Sequence, residues 1–184
     1  MNPKRLLLLS LLSGMLSYLA VSLPRLLADR HLLSDDAFFF FPGVLFGVFL
    51  LLPQTRCSNK RLLRWTGLMI CSVVAWFIAV SVGFQVLPLT TDLPVLSCGV
   101  SGSVGALILA VGSRTLIPIP ITRQSVLTAL FTGFVGGCIF GWALSSPRGS
   151  VAGEILYLIG FLSWQTGVAL SLFRRYPSPE GANP

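Results

Sequence analysis

The sequence predicts an all-helical membrane protein, a bundle of six transmembrane helices with both ends of the chain in the cytoplasm. Three observations lead to this prediction. Of 184 residues, 54% are hydrophobic and only 10% are charged, whereas soluble domains carry about 25% charged residues. The apolar residues form six runs, most of them long enough to cross a hydrocarbon core. The basic residues gather in alternate connections between these runs.

Each apolar run is predicted to be a helix, because lipid leaves no partner for unpaired backbone groups and barrel strands would alternate polar with apolar residues. A crossing helix needs about 20 residues. Segments one to six are Leu6–Leu27, Ala37–Leu52, Leu63–Leu87, Leu93–Ile117, Ser125–Leu144 and Val151–Phe173. They form a single transmembrane domain, residues 1–176. The polar tail, residues 177–184, is expected to be disordered.

Segment one is predicted to be a retained span rather than a cleaved signal peptide. Lys4 and Arg5 precede it, as they would in a signal peptide. Its apolar run is, however, longer than the roughly 7–15 residues of a signal core. Cleavage after Ala20 would also place the bulky Tyr18 three positions before the cut, where a small residue is required.

Segment two is the shortest span and contains Pro42 followed by Gly43. Proline removes a helical hydrogen bond and kinks the backbone, so a re-entrant half-helix is the alternative to a full crossing. The connection that follows is rich in basic residues, between Arg56 and Arg64. Basic residues favour the cytoplasmic side, and this connection therefore favours a full crossing.

Loop charges predict the orientation of the whole bundle. With the amino terminus inside, ten basic residues face the cytoplasm and three face the outside, which is the asymmetry expected of a membrane protein. The inner residues are Lys4, Arg5, Arg56, Lys60, Arg61, Arg64, Arg114, Arg123, Arg174 and Arg175, and the outer ones are Arg25, Arg30 and Arg148. An even number of spans returns the carboxyl terminus to the cytoplasm.

Segments four and five are predicted to form the closely packed centre of the bundle. Both carry small residues at four-residue spacing, which places those residues on one helix face. Such faces let helix backbones approach closely in membranes. The glycines assigned to this packing are Gly99, Gly102, Gly105, Gly133, Gly137 and Gly141.

The stretch from Gly99 to Gly102 in segment four resembles the Gly-x-Ser-Gly motif of rhomboid intramembrane proteases. That family also has a six-helix core with the serine on its fourth helix. The resemblance implies Ser101 as the nucleophile of an intramembrane serine hydrolase.

The sequence departs from that family at the catalytic base. Rhomboid proteases pair their serine with a histidine on the sixth helix, and the only histidine here, His31, precedes segment two. Rhomboid proteases also carry a characteristic glycine after that histidine. If Gly167 is matched to this glycine, Trp164 or Gln165 stands at the base position, where neither accepts a proton usefully. The alternative prediction is therefore a catalytically inactive relative of the rhomboid proteases.

Polar residues in the apolar segments are the remaining candidates for a functional site. Ionisable groups at membrane depth are functional hypotheses by default. Glu154 and Gln165 are eleven residues apart in segment six, about three helical turns, and so lie on one face. With Gln85 they define a candidate polar path. The alternative for Glu154 is a carboxylate that is favoured at a helix amino terminus, and the alternative for Gln165 is an amide that joins two helices.

The sequence contains no pattern typical of a metal or cofactor site. The four cysteines lack metal-ligand spacing, and no basic face suited to nucleic acid is present. The predicted function is a small, non-enzymatic, transporter-like or permease-like subunit or a membrane scaffold. Its partners are the lipid bilayer and a membrane protein or a second copy of the chain. A bacterial cytoplasmic membrane is the expected location.

Overall fold

The protein is built from helices. The computed structural model describes residues 3–26, 35–51, 61–83, 94–117, 121–147 and 150–173, and over these ranges it contains six α-helices and no strand. The helices are α1 (Pro3–Leu26), α2 (Asp35–Phe46, continued by a π-helical segment, Gly47–Leu51), α3 (Arg61–Ser81), α4 (Pro94–Leu116), α5 (Arg123–Ser145) and α6 (Val151–Phe173). The predicted all-helical fold is confirmed for this part of the chain.

Four helices are long and apolar enough to cross a membrane, namely α1 over Pro3–Ser22, and α4, α5 and α6 over their whole lengths. The apolar parts of α2 and α3 are shorter, Phe40–Phe49 and Thr66–Ser81. The outer surface carries large apolar side chains, such as Leu8 at 67% and Phe131 at 68% exposure. Water disfavours such a surface and lipid accepts it. The described helices therefore fit a membrane protein.

The six helices form a closed ring in sequence order. Each helix packs against the next one in the chain, and α6 returns to pack against α1. Contacts show that the neighbours from α2 to α6 run in opposite directions, and Tyr18, late in α1, bonds to Glu154 at the start of α6. On α4 and α5, Cys98 faces Gly137, and Gly102, one turn later, faces Gly133, one turn earlier. The same opposed order is found at three other interfaces. The pairs are Gly43 with Val73 and Gly47 with Met69 between α2 and α3, Gly67 with Leu116 and Gly83 with Ser101 between α3, with the two residues that follow it, and α4, and Gly160 with Phe140 and Gly167 with Thr132 between α5 and α6.

Opposite directions around the ring place alternate helix ends together. The starts of α1, α3 and α5 lie beside the ends of α2, α4 and α6. We call this the basic end, because its described charged residues are Lys4, Arg5, Arg61, Arg64, Arg114 and Arg123. The opposite end, called the acidic end, carries Asp35, Asp36 and Glu154 together with Arg25.

The α2 helix continues through Pro42 instead of ending there. The part of α2 that follows Pro42 packs closely against α3, since a methyl group at Gly43 would lie 2.8 Å from the Cα of Val73. The Ser72 hydroxyl donates a 2.6 Å hydrogen bond to the Gly43 carbonyl oxygen, and the π-helical segment begins at Gly47. Neighbouring serines and local π-helical turns are how membrane helices accommodate proline.

Aromatic side chains fill the centre of the ring. The Trp76 ring on α3 lies 5.6 Å from Phe161 and 5.7 Å from Trp164, both on α6 across the ring. Phe46 on α2 lies 5.8 Å from Trp164. Towards the basic end the core is aliphatic and phenylalanine-rich, with buried side chains including Leu6, Leu68, Leu109, Ile117, Val168, Leu172 and Phe173. The described core is thus mainly apolar towards its basic end.

Candidate functional site: a polar seam between α1 and α6

The α4 and α5 helices meet backbone to backbone. A methyl group at Gly102 would collide with the Gly133 carbonyl oxygen, and one at Gly137 with the Cys98 carbonyl oxygen. At Gly141 it would lie 2.5 Å from the Val95 Cα. No side chain fits in these places, so glycine is required for this approach.

Two of the glycines assigned to packing have different neighbours. A methyl group at Gly99 would meet side chains of α5, with the Cys138 sulfur at 2.7 Å. Gly105 faces away from α5: a methyl group there would lie 3.1 Å from the Ala79 Cβ of α3 and 3.2 Å from Trp164 of α6. Gly105 therefore makes room for the central tryptophan.

The face of α6 that meets α5 is also tightly packed. A methyl group at Gly136 of α5 would lie 2.8 Å from the Trp164 Cα, and one at Gly167 would lie 2.8 Å from the Thr132 Cβ. The Trp164 indole donates a 3.1 Å hydrogen bond to the Gly102 carbonyl oxygen of α4. One side chain thus joins three helices.

The opposite face of α6 meets α1 through polar side chains, and this interface is the candidate site. On α1, Ser10, Ser13 and Ser17 are fully buried, and their spacing of three and four residues places them on one face. On α6, Gln165 is 0% exposed. Its amide nitrogen donates a 2.8 Å hydrogen bond to the Ser17 hydroxyl.

Several polar atoms along this interface have no hydrogen-bond partner. They are the Ser13 hydroxyl of α1, and the Gln165 carbonyl oxygen and Thr166 hydroxyl of α6. Thr166 lies one turn after Leu162, which contacts α1 at Gly14. A buried polar group without a partner costs about 1–3 kcal/mol. Three of the six unpaired buried side-chain atoms in the described part of the chain lie here, and we name this interface the polar seam.

Glu154 lies at the acidic end of the polar seam. The Tyr18 hydroxyl of α1 donates a 3.1 Å hydrogen bond to its carboxylate, and the Tyr18 ring lies 6.4 Å from Tyr157. Ser150 caps α6 here, since its hydroxyl accepts a 3.1 Å hydrogen bond from the Gly153 amide. Glu154 is therefore near the start of α6 and also tied to α1.

Two of the three residues of the candidate polar path thus face the same helix. Glu154 and Gln165, three turns apart on α6, bond to the neighbouring residues Tyr18 and Ser17 of α1. Gln85 lies outside the described residues. The buried serines of α1, Ser10, Ser13 and Ser17, were not predicted from the sequence, although their spacing of three and four residues places them on one helix face.

Ser101 occupies a packed position on α4. Its hydroxyl donates a 2.9 Å hydrogen bond to the Cys98 carbonyl oxygen of its own helix, and a methyl group at Gly83 would lie 2.9 Å from that hydroxyl. Trp164 and Gln165 bond elsewhere, to Gly102 and Ser17. His31 lies outside the described residues. The described surroundings of Ser101 contain no base that would activate it.

The chemistry available in the polar seam is hydrogen bonding, with one carboxylate at its end. Over the ranges described, no group of three or more His, Cys, Asp or Glu residues is placed to hold a metal ion. The chain matches no family model, no curated protein and no solved structure.

Proposed function

We propose that this protein is a six-crossing, permease-like carrier of the bacterial cytoplasmic membrane that binds a polar solute along the polar seam. The observation that carries the proposal is Gln165, which is fully buried and leaves its carbonyl oxygen unpaired beside a row of buried serines. Polar groups inside a membrane bundle mark solute and ion pathways. The proposal includes no catalytic step.

Six crossings are supported by the alternating ring. The helices α2 and α3 have the shorter apolar stretches, yet α2 lies antiparallel beside α3, and α3 lies antiparallel beside α4. The basic residues at one end of the ring then favour the cytoplasm as the location of that end. Both termini of the chain would follow it there.

The order of polar groups along α1 and α6 supports a path that enters from the acidic end. Glu154 and Tyr18 come first, followed by the pair of Gln165 and Ser17 and then by Ser13. Beyond them the buried side chains are mostly apolar towards the basic end, with Ser10 and Ser113 as buried polar residues. In the carrier that we propose, this conformation is the one closed on the cytoplasmic side.

A carrier also needs an interface that opens. Among the described glycines, only Gly14 brings α1 and α6 into close contact, with a methyl group there 3.1 Å from the Leu162 Cα. The interfaces of α5, by contrast, have glycines at successive turns. Movement of α1 away from α6 would keep the α4–α5–α6 half intact.

Cysteine accessibility tests the proposal in intact cells. In a variant whose four native cysteines are replaced by alanine, Ser17→Cys is expected to react with a membrane-impermeant thiosulfonate added outside. Ala169→Cys, equally buried on α6 but within the apolar core, is the matched control and is expected to stay unreactive. Equal absence of reaction in both variants, with both proteins inserted and monodisperse, would rule out the carrier.

The specific alternative is a static membrane scaffold. The aromatic centre and the backbone contacts between α4 and α5 favour it, because they make a closed, rigid body. A scaffold leaves Ser17→Cys unreactive from both sides of the membrane. The same experiment therefore separates the two functions.

A further inference from the structure

A cluster of aromatic rings lies in the acidic half of the ring. Phe140 is 4.7 Å from Phe161 and 5.3 Å from Tyr157, while Trp76 is 5.6 Å from Phe161 and Tyr18 is 6.4 Å from Tyr157. These five residues, called the aromatic cluster, come from α1, α3, α5 and α6. Because α3 packs against neither α5 nor α6 as a neighbour in the ring, rings that join them face the interior.

The aromatic cluster is only partly covered. Tyr18, Trp76, Phe140 and Tyr157 are half-buried, whereas Phe161 is 0% and the deeper Trp164 is 4% exposed. Four of the five residues of the cluster thus keep accessible surface that a ligand could contact.

Two further observations indicate that the aromatic cluster is an incomplete site. The indole nitrogen of Trp76 is buried without a hydrogen-bond partner, which a finished packing core avoids. The Glu154 carboxylate stands beside the cluster, joined to Tyr18 at 3.1 Å. The rings thus adjoin an unpaired donor and negative charge.

We propose that the aromatic cluster and Glu154 bind a quaternary ammonium compound that enters from the acidic end. The faces of Trp, Tyr and Phe attract cations, and quaternary ammonium groups are typical ligands of aromatic cages. The carboxylate supplies the opposite charge. An oxygen on the ligand would accept the free hydrogen bond of the Trp76 indole. The inference concerns binding alone and holds whether or not the polar seam carries a solute through the membrane.

Choline and 3,3-dimethyl-1-butanol are suitable probes, because they share a shape and differ in charge. With the full-length protein in lipid nanodiscs, calorimetry is expected to detect choline binding and at least about tenfold weaker binding of the neutral alcohol. Glu154→Gln, nearly identical in shape, is expected to weaken choline binding about two- to thirtyfold. Trp142→Leu, which removes an aromatic ring that is 57% exposed and lies outside the cluster, is the control and should leave binding unchanged.

Three outcomes would overturn the inference: equal binding of the two probes, no binding of choline by a folded protein, or full binding by the Glu154→Gln variant. Each differs from failure of the carrier. Choline binding with an unreactive Ser17→Cys would keep the cation site and reject the path through the seam. A reactive Ser17→Cys without choline binding would do the reverse.

Discussion

The two faces of α6 are packed on different principles. Towards α5, Gly136, Gly160 and Gly167 mark places where one helix presses against the other. Towards α1, the contact depends on Gln165 and Ser17, with polar atoms left over. Lipid gives helices no hydrophobic reason to associate, so close dispersion contacts and interhelical hydrogen bonds are the two available means. The α6 helix uses close dispersion contacts on the face towards α5 and hydrogen bonds on the face towards α1.

The difference separates a rigid half of the ring from an adjustable one. Backbone contacts at glycine have a single close-packed arrangement, because glycine has no side chain that could change rotamer. Hydrogen bonds between side chains can exchange partners, and the unpaired acceptor of Gln165 already offers an alternative one. We therefore expect α1 to be the helix that moves and α4, α5 and α6 to move as a unit.

The largest effect is expected from Gly137→Val, which would break the rigid half. Its side chain would enter the Cys98 backbone, and overpacking of this kind costs about 3 kcal/mol or more when backbone is the obstacle. The melting temperature in detergent should fall by at least about 6 °C. Val135→Leu, on the exposed face of the same helix, is the control, and an equal melting temperature for both variants would contradict backbone contact.

A pair of substitutions two residues apart compares the faces directly. Gly167→Leu should destabilise the protein by about 2–3 kcal/mol, because its side chain meets Thr132. Gln165→Leu should change stability by less than about 1 kcal/mol, since it loses one hydrogen bond and removes one unpaired acceptor.

Thermal unfolding of both variants in the same detergent measures the difference. A larger loss for Gln165→Leu than for Gly167→Leu would reverse the assignment of the rigid and adjustable faces. Gln165→Leu should also abolish the external reaction of Ser17→Cys, which a purely structural glutamine would leave unchanged.

The smallest effect is expected from Tyr18→Phe, which tests how firmly the acidic end of α1 is held. It removes the hydrogen bond to Glu154 and keeps the ring. Both groups are partly exposed, so the loss should be about 0.5 kcal/mol, close to the limit of a melting experiment. Hydrogen exchange of the α1 amides near Tyr18 is the more sensitive measurement, and unchanged protection there would show that this bond does not hold the helix end.

Composition was sufficient for the class of protein. Few charges and long apolar runs indicate lipid as the solvent, and lipid requires every backbone group to be paired, so helices follow. The glycine spacing in segments four and five also pointed to close packing, because four-residue spacing places residues on one face whatever the neighbour is. These features are local and can be read from windows of about 20 residues.

Which face meets which neighbour was decided by the tertiary structure. Gly105 belongs to the same small-residue segment as Gly102, yet it accommodates Trp164 and α3 rather than α5. Gln165 found its partner in Ser17, 148 residues away, and Glu154 found Tyr18, 136 residues away. Helical periodicity fixes the direction of a side chain relative to its own axis. The rotation of each axis against its neighbours depends on how all six helices close the ring, and this depends on packing across the whole chain.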